Sequence, residues 1–163
     1  MNFLKKQSIG TFVSLGACVL AIVAAIIYGV NVASEGYFMK MSVSSVVVCS
    51  VFAILLLAAV VALAQFEFEG LVGKVVTIVA DALKILVPIL LAIALMALIS
   101  SRVEGLAYLY FSNEDVLAAI QTPANMSSAS VAITSFIMYG VALVASVVAA
   151  CFGVYKKSEN VAE

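Results

Sequence analysis

Long stretches without a charged residue alternate along the chain with short segments in which the charges are gathered. The uncharged windows run from 7 to 34, 41 to 66, 85 to 101 and 116 to 155. An α-helix needs about 20 apolar residues to cross roughly 30 Å of hydrocarbon. The first, second and last windows each hold such a helix. The pattern predicts an all-α membrane four-helix bundle formed by a single transmembrane domain.

The predicted spans take their bounds from these windows. They lie at about residues 9–30, 42–64, 75–100 and 131–154, with an outer segment at about 101–130. The third window has only 17 residues, which gives about 26 Å of helix. This span is therefore extended upstream, where the helical pattern continues, and Lys84 is expected to reach toward the headgroups.

The first apolar run follows Lys5 and Lys6, an arrangement that secretory signal peptides also show. The run is longer than the apolar region of a signal peptide, and Asn31-Val32-Ala33 makes a poor cleavage site. We expect the first span to be retained.

The composition supports a lipid environment. The chain is 66% hydrophobic and only 10% charged, with a mean hydropathy of +1.26, whereas about 25% of the residues in a soluble domain are charged. A domain of this size in water could not hide so much apolar surface. The net charge of −1 gives no basic excess, so nucleic-acid binding has no electrostatic support.

The residues that most often carry chemistry are scarce. The chain has no histidine, the commonest general base and an ordinary metal ligand. Cys18, Cys49 and Cys151 lie far apart inside apolar runs, where we expect them to be buried as small hydrophobic side chains. The sequence therefore predicts no catalytic residue, no metal site and no cofactor, and we do not expect an enzyme.

The distribution of positive charges predicts the orientation. With four spans, both termini share one side of the membrane. That side holds six lysines, and the other side holds Lys40 and Arg102. The positive-inside rule places the lysine-rich side, with both termini, in the cytoplasm. The six lysines are Lys5, Lys6, Lys74, Lys84, Lys156 and Lys157.

A polar stripe precedes and enters the third span. Its members recur at alternating spacings of three and four, so on a helix they fall within an arc of roughly 100°. Asp81 and Lys84, three residues apart, are placed to form an ion pair. The stripe consists of Glu67, Gly70, Lys74, Thr77, Asp81, Lys84 and Pro88.

Two geometries fit the polar stripe. The segment either lies along the cytoplasmic surface and turns into the membrane near Lys84, or forms part of a long third helix with the stripe facing other helices. In the first case the ion pair is a solvated surface feature. In the second it would line an ion path or hold a partner, because charges inside a membrane are costly and seldom idle. The interfacial geometry is favoured, because the lysine stem reaches the headgroups easily.

The outer segment contains a predicted helix start at Ser112-Asn113-Glu114-Asp115, where a capping side chain precedes two acids. Thr122-Pro123 is expected to end this short amphipathic helix, which would lie on the outer membrane surface. The segment is either a docking surface for a partner or a connector that rests on lipid or on neighbouring helices, and the connector is favoured. The candidate partner surface consists of Tyr108, Tyr110, Phe111, Glu114 and Asp115.

Small residues at steps of three and four predict close helix packing in the first and fourth spans. The sequence leaves open whether they join helices of one chain or of two copies. They are Gly10, Ser14, Ala17, Ala21 and Ala25 in the first span, and Ala142, Ser146 and Ala150 in the fourth.

The overall pattern resembles that of small, uncharacterised four-span bacterial membrane proteins. Two outer stretches carry the resemblance: Glu35-Gly36-Tyr37-Phe38, and the run from Ser101-Arg102-Val103-Glu104-Gly105 to Gln121-Thr122-Pro123. It covers most of the chain without a diagnostic motif. It implies a bacterial plasma membrane and no particular activity.

Three functions are compatible with this pattern. The leading one is a non-enzymatic accessory or structural subunit of a membrane complex, with the bilayer and either another membrane protein or further copies as partners. The second is an oligomeric channel or transporter with Asp81 and Lys84 lining the path, which needs several copies because one four-helix bundle has little room for a pore. An intramembrane enzyme comes third, since no oriented partner accompanies Asp81 or a cysteine.

Overall fold

The computed structural model describes residues 8–66 and 70–153. These residues form five helices and contain no strand. Four of the helices are long and apolar enough to cross a membrane, so the predicted all-α membrane bundle is confirmed. The helices are α1 Ile9–Ala33, α2 Ser44–Leu63, α3 Gly70–Phe111, α4 Glu114–Ile120 and α5 Pro123–Cys151.

The four long helices form a closed ring in the order α1, α2, α3, α5, in which each helix packs against two others. At one end, Ser8 before α1 bonds to Gly153 after α5. At the other end, Arg102 of α3 bonds to Met41 in the α1–α2 connection. Successive long helices are therefore antiparallel. We name the two ends of the bundle after their buried cations, the Lys84 end and the Arg102 end.

Small side chains allow α1 and α5 to approach closely. The predicted stripe is buried at Gly10, Ser14, Ala17 and Ala21. A β carbon on Gly10 would collide with the carbonyl oxygen of Gly153. These small residues therefore pack helices within one chain. Ala25 and Ala150 lie at the margins of the stripe and are only half-buried.

The third helix is longer than the sequence predicted. α3 has 42 residues and passes through Lys84 and Pro88 without a break, so its length is about 63 Å. The predicted turn near Lys84 therefore does not form, and the helix is long and continuous; among the described residues of the polar stripe, only Lys84 is buried. α3 extends past both ends of the predicted span at 75–100.

The fourth long helix starts earlier than predicted. α5 begins at Pro123, and the Thr122 side chain accepts a hydrogen bond from the Asn125 amide, a typical proline start behind a capping threonine. Of the predicted outer segment at 101–130, only residues 112–122 lie outside α3 and α5. The polar run after Thr122 is helical because it is used in packing, as the complete burial of Ser128 shows.

The short helix α4 lies against the last turn of α3. It begins at Glu114 behind Asn113, as the sequence predicted, and has Glu114 and Asp115 in its first turn. No residue of α4 is fully buried. The Gln121 amide nitrogen donates to the Leu109 carbonyl at 3.0 Å, which holds the end of α4 onto α3.

The middle of the bundle is filled with apolar side chains. On the inner face of α3, Val87, Leu91, Ala94 and Leu98 all have no exposed surface. They join one continuous core with buried residues of the other three long helices. The two buried cations, Lys84 and Arg102, lie at the two ends of this core.

Candidate functional site

Lys84 is buried at the end of the bundle that bears its name. Its ammonium group lies 2.8 Å from the Asp81 carboxylate and donates a 2.7 Å hydrogen bond to the Phe152 carbonyl. The Lys84 side chain is only 1% exposed, whereas Asp81 is 49% exposed. The Lys84 side chain therefore turns inward to α5.

The Lys84 hydrogen bond holds the C-terminal end of α5. Phe152 is the C-cap of that helix, and carbonyls at this position have no partner within the helix and carry partial negative charge. Ser8 donates a 2.7 Å hydrogen bond to the next carbonyl, that of Gly153, and accepts one from the Gly10 amide. Lys84 and Ser8 thus connect three segments at this end of the bundle: the start of α1, the end of α5 and the turn of α3 that contains Lys84.

The remainder of the predicted polar stripe does not join this cluster. Thr77 donates to the Gly73 carbonyl of its own helix at 2.8 Å. Lys74 is exposed and stands two turns away from Asp81. Glu67 lies outside the described residues. Of the stripe, the structure brings only Asp81 and Lys84 into contact.

The opposite end holds a second buried cation. Arg102 is 1% exposed, donates a 2.6 Å hydrogen bond to the Met41 carbonyl, and places its guanidinium 4.7 Å from the centre of the Phe38 ring. Within residues 8–66 and 70–153 it has no carboxylate partner, and its Nε makes no hydrogen bond. Carbonyl and ring contacts therefore replace an ion pair there.

The connection between α1 and α2 folds over the Arg102 end. Asn31, with no exposed surface, donates to the Ser128 carbonyl at 2.8 Å, and the Phe38 amide donates to the Ser128 hydroxyl at 3.2 Å. Gly36 has a φ of 135°, and a β carbon there would lie 2.5 Å from that of Ser128. Only glycine fits this close passage across α5.

The sequence analysis counted Arg102 only as a positive charge on the side opposite the six lysines and did not predict its burial. The spacing of the two cations indicates it. Lys84 and Arg102 are 18 residues apart, which is five helical turns, so both lie on one face of α3 at a separation of about 27 Å. Two cations at the two ends of one apolar helix face can both be buried only if neighbouring helix ends or connections supply hydrogen-bond acceptors.

The predicted partner surface is exposed and gathered at the Arg102 end. Tyr108, Tyr110 and Phe111 leave 44%, 37% and 87% of their surfaces uncovered. Glu114 and Asp115 are exposed at the start of α4. The Tyr108 ring lies 6.0 Å from that of Tyr37. The structure thus places these five residues around one junction of α3 and α4.

The three cysteines differ in exposure, and two interior hydroxyl groups share a hydrogen bond. Cys18 is buried and Cys49 half-buried, but Cys151 is exposed at the end of α5, so the expectation of burial is wrong for Cys151. Ser50 and Tyr139 share a buried hydrogen bond of 2.6 Å. In the part of the chain that the structure describes, no three His, Cys, Asp or Glu residues are grouped to hold a metal ion.

Comparison with family models, curated proteins and solved structures gave no match to this chain. Its function is therefore inferred from its own geometry, above all from the length of α3 and the position of its two buried cations.

Proposed function

We propose that this chain is a non-enzymatic accessory or structural subunit of a membrane complex. The observation that carries the proposal is the length of α3, whose 42 residues span about 63 Å. This is about twice the thickness of the hydrocarbon layer. A large part of α3 therefore lies outside the hydrocarbon layer, where its surface faces headgroups, water or protein.

The two buried cations indicate which part of α3 faces hydrocarbon. Between Lys84 and Arg102 the helix covers about 27 Å and carries no charge, which matches a layer of roughly 30 Å. We define the α3 extension as residues 70–83, which add about 21 Å beyond Lys84. The headgroup region on one side is only about 5 to 8 Å thick. Most of the α3 extension therefore lies beyond the lipid.

The surface of the α3 extension is unusually apolar for that location. Leu71 is 82% exposed and Ile78 is 69% exposed. Contiguous apolar surface that lipid does not cover marks a protein interaction site. We infer that a partner, either another membrane protein or a second copy, covers this face. Its exposed apolar residues are Leu71, Val72, Val75, Ile78 and Val79.

The position of the charges supports a structural role over a channel. Asp81 and Lys84 lie at an end of the bundle, where Lys84 is engaged by the Phe152 carbonyl. The space between the ends is filled by side chains such as Leu91 and Leu98, which have no exposed surface. One copy therefore has no room for a path, and the channel alternative needs an assembly of several copies.

The same proposal includes the setting of the subunit. We place the Lys84 end in the cytoplasm of a bacterial cell, with the bundle in the plasma membrane. The support is the lysine count on that side, since positive residues are retained on the cytoplasmic face. The α3 extension then meets its partner on the cytoplasmic side.

Site-specific photo-crosslinking in intact membranes tests the subunit proposal. A photoreactive residue at Val75 in the α3 extension is expected to crosslink to protein. The matched control is Val144 of α5, which is similarly exposed and lies eight residues before the C-cap Phe152. A photoreactive residue at Val144 should crosslink only to lipid. Lipid products alone at both positions would contradict the proposal, as would mild-detergent purification that recovers only the single chain.

A further inference from the structure

A groove of about 310 Å³ runs between α1 and α2 near the Arg102 end. Ala25, Gly29 and Ala33 line it from α1, Val47 and Val51 line it from α2, and the buried Tyr139 of α5 lies at its floor. Cavities from about 300 Å³ upward are large enough to hold small ligands. The groove is open at the side of the bundle, because several of its wall residues are exposed.

The α1 wall of the groove is built from small residues. Ala25, Gly29 and Ala33 are spaced by four and therefore share one helix face. A β carbon on Gly29 would meet no heavy atom within 4 Å, whereas one on Gly10 would collide with the carbonyl after α5. The small side chains on this face leave space instead of bringing helices together.

Two buried tyrosines that line the groove carry hydroxyl groups. Ser50 donates its proton to the Val46 carbonyl, so Tyr139 is the donor in their shared 2.6 Å bond. The Tyr28 hydroxyl accepts the Val43 amide at 2.6 Å. Among residues 8–66 and 70–153 the hydroxyl proton of Tyr28 has no acceptor. Tyr28 can therefore donate to a group that enters the groove.

We propose that this groove binds one hydrocarbon chain of a membrane lipid, whose ester carbonyl accepts the hydroxyl proton of Tyr28. The Tyr28 hydroxyl binds Val43, the N-cap of α2, so it lies where α2 enters the bundle. Tyrosine is characteristic of this boundary between hydrocarbon and headgroups, where the esters of a lipid lie. From Ser44 to Val51 the α2 wall continues for about 12 Å toward the bilayer centre.

The lining of the groove favours a lipid chain over a transmembrane helix. A helix is about 10 Å wide, whereas an alkyl chain is far narrower and is compatible with walls of alanine, glycine and valine. The proposal is independent of the partner contact on α3, which lies on another helix.

Photoaffinity labelling of the reconstituted full chain tests the site. The probe is a phospholipid with a diazirine on one acyl chain, in nanodiscs of phosphatidylethanolamine and phosphatidylglycerol. Labelled peptides should cluster at residues 25–33 and 42–51. Gly29→Leu fills the groove and should lower labelling there by about tenfold or more. Gly16→Leu is the matched control, since Gly16 lies on the same helix with open space around it, and labelling should persist.

A second comparison tests the hydrogen bond. Tyr28→Phe should weaken labelling by an ester-linked probe about three- to tenfold, which corresponds to one hydrogen bond. With an ether-linked probe, which has no carbonyl, the same substitution should have no effect. A merely structural role of the hydroxyl would lower labelling by both probes equally.

Two results would overturn the site. In one, Gly29→Leu and Ala33→Leu are both labelled as strongly as the unaltered protein; in the other, labelling spreads evenly over the exposed faces of the helices. Either result would mean that the probe reports ordinary surrounding lipid only. Each variant is checked for folding by size-exclusion chromatography and thermal unfolding in detergent. If Gly29→Leu does not fold, Ala33→Leu decides, because Ala33 also lines the groove and is exposed.

Discussion

At the scale of single residues, the two buried cations are held mainly by backbone carbonyls. Lys84 bonds to the Phe152 carbonyl and Arg102 to the Met41 carbonyl. Taking a charge out of water is costly unless it is paired and hydrogen-bonded. The end of a helix provides carbonyls that have no partner within it. Lys84 and α5 therefore satisfy each other, and the half-exposed Asp81 completes the site.

This arrangement predicts unequal effects of substituting the two partners. Lys84→Ala removes a buried stem and leaves the Phe152 carbonyl without its donor, so we expect a loss of about 2 to 4 kcal/mol in the free energy of unfolding. Asp81→Asn should cost less, at about 1 kcal/mol, since the asparagine side chain keeps an oxygen that can accept from the Lys84 ammonium. Thermal and denaturant unfolding in detergent measure both changes.

Lys74→Ala is the control for these variants, because Lys74 is exposed and should leave stability unchanged. If Asp81→Asn destabilises as strongly as Lys84→Ala, the ion pair and not the carbonyl bond holds the end of the bundle together.

At the scale of elements, side-chain size decides which helices approach closely. The buried positions of α5 are mostly alanine and serine, with the exception of Tyr139. Lipid provides no hydrophobic drive between helices, so close packing and buried hydrogen bonds must hold them together. Ser135 and Ser146 donate to carbonyls of their own helix, which satisfies their hydroxyls and lets them pack as small residues.

Enlarging one of these side chains should separate the helices. Ala142 has no exposed surface, so Ala142→Leu overpacks the core and should cost about 1 to 3 kcal/mol. Val144→Leu, on the same helix at a position that is 63% exposed, should change stability by less than about 0.5 kcal/mol. Thermal unfolding of the two variants in the same detergent makes the comparison. Equal midpoints would show that α5 is free to shift and does not pack tightly.

At the scale of the whole molecule, the antiparallel ring separates two chemically different ends. The Lys84 end holds the start of α1, the end of α5 and the α3 extension, whereas α4 and the candidate partner surface around Tyr108 and Phe111 lie at the Arg102 end. The proposed partner contact and the proposed lipid groove therefore lie at different ends of the bundle. Each can be disrupted without the other.

The predicted orientation can be tested with cysteines placed at the two ends. In a variant without the three natural cysteines, Glu114→Cys should react with a membrane-impermeant maleimide in intact cells. Lys74→Cys should react only after the membrane is opened, because the positive-inside rule places it in the cytoplasm. Both positions are exposed. The reverse labelling pattern would invert the orientation.

The sequence predicted elements well where the signal is local. The start of α4 at Glu114 lies where two acids follow Asn113, although the Asn113 side chain makes no capping hydrogen bond. The contact between Asp81 and Lys84 follows from their spacing on a helix. The start of α5 at Pro123 lies eight residues before the predicted start of the fourth span at 131. The helical state of these residues depends on contacts such as that of Ser128 with Asn31, which is far away in sequence.

By itself, the sequence determined the helical class and the number of apolar helices. The free energy of transferring a helix into lipid is a sum of contributions from neighbouring residues, and the hydropathy of the segment measures that sum directly. Only the tertiary structure decided that Lys84 turns inward, that Arg102 is buried without a carboxylate among the described residues, and that space remains between α1 and α2. These features depend on which helix ends, connections and helix faces come into contact. Such contacts join residues that are far apart in the sequence, so no local sequence pattern predicts them.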